Sequence, residues 1–83
     1  MRDIHNVLTQ IINAVPYDFE RRAEMERRFQ SIKDSAAYTL PDCMGDRWHE
    51  AQMVLLDCLG PEANNSKLSW TSRIVRIWTQ VKD

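Results

Sequence analysis

The sequence predicts a small all-α domain, either a four-helix bundle or an orthogonal array of four helices. The chain of 83 residues contains only two glycines and three prolines, and so few breakers leave long segments that favour helices over strands. Apolar residues recur at steps of three and four in four successive segments, which is the spacing of one helix face. A chain of this length is expected to form a single domain over residues 1–83.

Segment one is predicted to be a helix over residues 3–15. Asp3 is the expected N-cap, and Pro16 ends the helix. Its apolar stripe has no charged member and comprises Ile4, Val7, Leu8, Ile11, Ile12 and Val15. The stripe is wide enough either to complete the core of one chain or to cover the surface of a second copy.

Segment two is predicted to be the longest helix, from residue 18 to residue 39, with Asp18 as its N-cap and Pro41 as its stop. Its inner face is predicted to contain Phe19, Ala23, Met25, Phe29, Ile32, Ala36 and Leu40. Four arginines and three glutamates share residues 20–28. Such a run either contacts an acidic partner or forms a solvated face with internal ion pairs, and the glutamates favour the second interpretation.

Segment three is predicted to be a helix over residues 46–59, with Asp46 as its cap and Met44 packing on its first turn as a hydrophobic staple. Gly60 followed by Pro61 is a strong stop signal. The inner face of this helix is predicted to contain Trp48, Ala51, Gln52, Leu55, Cys58 and Leu59.

Segment four is predicted to be a helix over residues 67–81, capped by Ser66. Its apolar stripe comprises Trp70, Ile74, Ile77, Trp78 and Val81. Because both tryptophans lie on this stripe, the pattern favours a core or a subunit interface over ligand stacking.

The net charge of −1 is unevenly distributed along the chain. Residues 41–63 carry a net charge of −4 and residues 64–83 a net charge of +3, so the C-terminal half has two electrically opposite stretches. The longest apolar run, residues 53–56, is far shorter than a membrane span, and no signal peptide is expected. A cytoplasmic protein with two reduced cysteines is therefore expected.

No motif for catalysis, metal binding or cofactor binding is present in the sequence. Cys43, His49, Cys58 and His5 are spaced unlike any zinc module. Cys43 and His49 lack an orienting third group for nucleophilic chemistry, and Asp46 and Glu50 are explained by helix capping and the helix dipole. We expect no enzymatic activity, no metal and no cofactor.

Nucleic-acid or nucleotide binding is the alternative function, and it would use the basic fourth segment with its two tryptophans. The residues concerned are Lys67, Arg73, Arg76 and Lys82. A helix-turn-helix formed by segments two and three is disfavoured, because their connection is long and Asp46, Glu50 and Asp57 make the second helix acidic.

The favoured function is binding to another protein, as an adaptor, regulator or inhibitor. Four apolar stripes, three tryptophans and four methionines offer more apolar surface than a chain this short easily buries. The candidate contact residues are Ile4, Leu8, Ile11, Arg21, Arg28 and Trp48. A homodimer is an equal alternative to a monomer, and a membrane partner is not expected. Compact helical chains without catalytic motifs are common among accessory proteins of mobile elements and phages, a likeness of type that rests on no individual residue.

Overall fold

The residues that the structure describes fold as four α-helices, as the sequence predicts. A computed structural model describes residues 3–60 and 69–81, and no strand occurs within these two ranges. A short 3₁₀ helix, Pro41–Cys43, precedes the third α-helix. The α-helices are α1 (Ile4–Ala14), α2 (Arg22–Ala36), α3 (Met44–Leu59) and α4 (Ser69–Val81).

Helices α1 and α2 lie in the middle of the arrangement. Helix α1 packs against both α2 and α4, while α2 also packs along α3. The chief contacts therefore run in the order α4, α1, α2, α3, and α3 and α4 lie at the two ends of that order. The core consists of Ile4, Val7, Leu8, Ile11, Val15, Met25, Phe29, Ile32, Ala51, Val54, Leu55, Cys58, Leu59 and Ile74.

The start of α1 is confirmed, whereas the bounds of α2 differ from the prediction. The Asp3 carboxylate accepts a hydrogen bond from the His5 backbone N–H at 2.9 Å, as an N-cap does. Asp18 does not cap α2, because residues 16–21 form turns in which the Phe19 N–H donates to the Pro16 carbonyl at 3.1 Å. The helix begins at Arg22 and ends at Ala36, earlier than the predicted residue 39.

Helix α3 begins two residues earlier than the sequence predicts. Pro41 opens the 3₁₀ turn that leads directly into α3, since the fixed φ of proline suits a first helical turn. Met44 is consequently the first residue of α3 and not a staple before it. Gly60 ends the helix with a φ of +54°, a value that favours glycine. The predicted cap Ser66 and start Lys67 lie outside the described residues.

Arg22 fixes the turn between α1 and α2. Its side chain is buried, with 8% of the residue exposed. Its Nη1 donates to the Val15 carbonyl, and its Nε donates to Glu26 Oε1 at 2.9 Å. The Tyr17 ring lies over the guanidinium, with 4.0 Å between Cζ and the ring centroid. The planar guanidinium of Arg22 therefore contacts the end of α1, the first turns of α2 and an aromatic ring in the segment between the two helices.

We expect Arg22→Ala to lower the free energy of unfolding by about 2–3 kcal/mol, because it removes a charged donor from a buried carbonyl. Arg22→Lys should recover only part of this loss, since an ammonium group lacks the planar fork that serves both acceptors. Urea denaturation followed by circular dichroism measures both effects. The matched control is Arg27→Ala on the exposed side of α2, and an equal loss for the two alanine variants would contradict the assignment.

We expect Leu8→Ala to cost about 3 kcal/mol of unfolding free energy, because Leu8 is completely buried (0% exposed) and its truncation leaves a cavity. Leu40, which is 70% exposed, supplies the control, and its change to alanine should cost about 0.5 kcal/mol or less. The same denaturation experiment compares the two variants. A loss for Leu8→Ala as small as that of the control would show that α1 does not dock as described.

Candidate protein-binding groove between helices α3 and α4

Three of the predicted contact residues lie in the core. Ile4, Leu8 and Ile11 are buried among the residues of α1, α2 and α4. Of the two alternatives that the sequence left open, the structure shows segment one completing the core of a single chain. These three side chains are therefore not part of the accessible surface.

The two predicted arginine contacts serve the chain's own packing. Arg28 on α2 donates from Nη2 to Asp57 Oδ2 on α3 at 3.2 Å, and its Nη1 lies 3.9 Å from Cys58 Sγ. Arg21 lies over the Phe19 ring, with its Cζ 5.2 Å from the ring centroid. Together with Arg22, these residues show that much of the arginine-rich run contacts the protein itself, in line with the interpretation as a face with internal ion pairs.

The Arg28–Asp57–Cys58 cluster shifts two pKa values. Desolvation alone would lower the pKa of Arg28, but the hydrogen bond to Asp57 and the electrostatic contributions of Cys58 and Asp57 together outweigh it and leave the pKa raised. Burial raises the pKa of the Cys58 thiol, and the negative charge of Glu24 adds to this effect. Cys58 is therefore a protonated, buried thiol at neutral pH, whereas Cys43 is exposed.

We expect Ellman's reagent to modify one thiol of the folded protein rapidly and the second only after unfolding. The fast thiol is Cys43, because Cys58 combines burial with a raised pKa. Absorbance at the thionitrobenzoate band counts the thiols with and without denaturant. Cys43→Ser should abolish the fast phase, and two fast thiols in the unmodified protein would contradict the prediction.

The tryptophans pack against other aromatic rings. Trp48 on α3 is half-buried, and its ring centroid lies 5.9 Å from that of Trp78 on α4 at an interplanar angle of 59°. Trp70 lies 5.0 Å from Phe19 in a similar tilted arrangement. The tilted geometry is the favourable one for aromatic pairs. The predicted contact residue Trp48 is thus placed where α3 and α4 meet.

An apolar groove lies between α3 and α4. Its volume is about 150 Å³. Leu55, Leu59 and Ile74 are buried residues of its lining, whereas Leu56 is 55% exposed and Val75 is 48% exposed. All of the lining residues are uncharged: Gln52, Leu55, Leu56, Leu59, Ile74, Val75, Trp78 and Thr79.

The groove follows from the packing order of the helices. Helix α4 makes its main contacts with α1, and α3 makes its main contacts with α2. The two helices are therefore not drawn together along their whole length, and apolar side chains on their neighbouring sides stay partly exposed. Leu56 and Val75 were not among the predicted site residues. The available signal was their position just beside the core stripes, next to Leu55 and Ile74.

The two walls of the groove belong to helices of opposite charge. Helix α3 carries Asp46, Glu50 and Asp57 against the single base Arg47, and Glu50 is paired with Arg47 at 2.9 Å. Helix α4 carries Arg73 and Arg76 and no acidic residue, and both arginines are exposed. The uncharged groove thus separates a net-acidic helix from a basic one.

The other predicted sites receive less support from the geometry. Arg73 and Arg76 are exposed, but Lys67 and Lys82 lie outside the described residues. In the described ranges, no three histidine, cysteine or carboxylate side chains converge as a metal site would require. No helix in the described part of the chain is long and apolar enough to cross a bilayer. A larger cleft of about 710 Å³ between α1 and α2 is open and mixes Arg27, Lys33 and Glu26 with polar groups.

Comparison with protein-family models, with curated proteins and with solved structures finds no match for the chain. The function is therefore inferred from the residues and their geometry alone. Among the surfaces described above, the α3–α4 groove is the one that combines an uncharged lining, exposed aliphatic side chains and flanking charge.

Proposed function

We propose that this protein is a non-enzymatic module that binds another protein through the α3–α4 groove. The observation that carries the proposal is the exposure of Leu56 and Val75 beside an uncharged apolar groove. Exposed apolar surface with a charged surround is typical of protein-binding sites on small soluble domains. The module would act by occupying a partner's surface, as an adaptor, regulator or inhibitor does.

The dimensions of the groove favour a side chain of a protein partner over a small molecule. Small-molecule sites usually enclose about 300–1,000 Å³, whereas this groove has about 150 Å³. A space of this size accommodates one or two aliphatic side chains between Leu56 and Val75. Insertion of apolar side chains from an amphipathic helix into such a groove is a common mode of recognition.

The basic face of α4 supports a weaker alternative, binding to nucleic acid. Arg73 and Arg76 are exposed on a helix without acidic residues, and such cations contact phosphates. However, Trp70 and Trp78 are engaged with Phe19 and Trp48, which removes the aromatic platforms that stacking on bases requires. Loss of nucleic-acid binding in Arg73→Ala/Arg76→Ala, with protein binding unaffected, would favour this alternative.

We expect Val75→Asp to weaken partner binding without unfolding the protein, because it places a charge in the apolar groove at a half-exposed position. Affinity capture from the native host compares the unmodified protein with Val75→Asp and with the control Leu40→Asp. Leu40 is similarly aliphatic and exposed, but it precedes the 3₁₀ helix and does not line the groove.

The captured protein is then purified, and its affinity is measured by calorimetry against all three chains. The proposal predicts at least about a tenfold loss for Val75→Asp, which corresponds to about 1.4 kcal/mol, and no loss for Leu40→Asp. Circular dichroism melts establish that both variants are folded. Equal affinity of all three chains for every captured protein would contradict the proposal.

A further inference from the structure

We propose that the cleft between α1 and α2 is a second binding site, which takes a small phosphate monoester that carries a planar ring, such as a nucleoside monophosphate. The cleft has a volume of about 710 Å³, within the range of about 300–1,000 Å³ that is usual for small-molecule sites. It shares no lining residue with the α3–α4 groove. The two sites are therefore separate, and the proposal goes beyond the protein-binding role of the groove.

Hydrogen bonds between the helices cross the cleft at both of its ends. At one end Arg22 Nη1 donates to the Val15 carbonyl, and at the other Lys33 Nζ donates to Thr9 Oγ1 at 2.9 Å. Arg22 and Lys33 are eleven residues apart on α2, which corresponds to about 16 Å along the helix axis. These bonds delimit a cleft as long as a small organic molecule and close its ends to an extended peptide.

The charge of the lining favours a phosphate group. Three cations, Arg22, Arg27 and Lys33, line the cleft together with one carboxylate, Glu26. Glu26 is paired with Arg22 at 2.9 Å, whereas Arg27 and Lys33 form no ion pair within the described residues. Two positive charges are thus uncompensated. A phosphate monoester carries about −1.5 to −2 at neutral pH and matches them, whereas a carboxylate would leave one cation unmatched.

The cations also retain free donors. Arg22 is only 8% exposed, and its Nε and Nη1 are engaged, but its Nη2 has no hydrogen-bond partner in the part of the chain that the structure describes. Lys33 uses one of its three N–H donors on Thr9. Arg27 and Lys33 are six residues apart, about 9 Å along α2, so their long side chains can reach the same phosphate group.

Tyr17 supplies a surface for a planar ring at the other end of the cleft. Its side chain lines the cleft and the residue is 91% exposed. One face of the ring lies on the Arg22 guanidinium, at 4.0 Å from Cζ to the ring centroid, which leaves the opposite face open for stacking. With the phosphate between Arg27 and Lys33, the ring of the ligand lies near Tyr17, and Arg22 Nη2 is the donor for an acceptor atom on the ring or sugar.

Calorimetric titration with the monophosphates of adenosine, guanosine, cytidine and uridine tests the proposal. At least one should bind, and the matching nucleoside and ribose phosphate should each bind at least about tenfold more weakly, which corresponds to about 1.4 kcal/mol. The nucleoside lacks the dianion and ribose phosphate lacks the ring, so each loses one of the two interactions. Tyr17→Leu should remove the preference for the nucleotide over ribose phosphate.

Two charge variants and a matched control locate the site. Arg27→Ala and Lys33→Ala should each weaken binding of the nucleotide at least about tenfold. Arg73→Ala removes the same charge from an exposed position on α4, outside the cleft, and should leave the affinity unchanged. Circular dichroism establishes that all of the variants are folded.

Four results would overturn the proposal. They are the failure of all four monophosphates to bind, binding of inorganic phosphate or ribose phosphate as tight as that of the nucleotide, an equal loss in Arg73→Ala and Arg27→Ala, and tighter binding of a phosphorylated peptide through the same residues. The last result would assign the cleft to a protein partner. The proposed function of the groove is tested separately, because Val75→Asp lies outside the cleft and should bind the nucleotide as the unmodified chain does.

Discussion

Burial of the uncharged stripe of α1 is the constraint on which the rest of the structure depends. Leu8 and Ile11 are completely buried, and the helix that carries them packs on α2 and on α4. Apolar burial is the main favourable term in folding, so α1 lies between α2 and α4, with its stripe covered by both. Helices α3 and α4 are consequently organised by different partners, and they retain an open apolar seam between them. The groove is thus a product of how the core is filled.

The charges of α2 are used largely within the molecule. Arg22 joins the end of α1 to α2, and Arg28 joins α2 to Asp57 on α3. A buried guanidinium with several acceptors contributes more than a surface ion pair, because its hydrogen bonds are shielded from competing water. The exposed residues Arg73 and Arg76 differ from these arginines, because no acidic residue lies on their own helix, α4. The long arginine-rich run is therefore structural in large part, and the shorter basic helix is better placed to meet a partner.

Local sequence signals predicted the helices well and the site poorly. The Asp3 cap and the Gly60 stop depend on neighbouring residues only, and both were predictable. The predicted start of α2 was wrong, because the true start depends on tertiary contacts made by the segment between α1 and α2. There Arg22 donates to the Val15 carbonyl, and the Phe19 ring packs on Trp70. The groove depends on which helices become neighbours, and periodicity within one helix carries no such information. Leu56 and Val75 therefore looked like ordinary residues beside a core stripe.

Separation of the core from the groove would let folding and the proposed binding be lost independently. The core side chains of α1 are fully buried, whereas Leu56 and Val75 are about half-exposed. A polar group at these two positions stays in contact with water in the free chain, so its cost to folding is small. The same group loses that water when a partner covers the groove, and its desolvation then weakens the binding free energy. A domain of 83 residues has a thin margin of stability. An interface built from half-exposed side chains beside the core would cost little of that margin, which supports the role proposed for the groove.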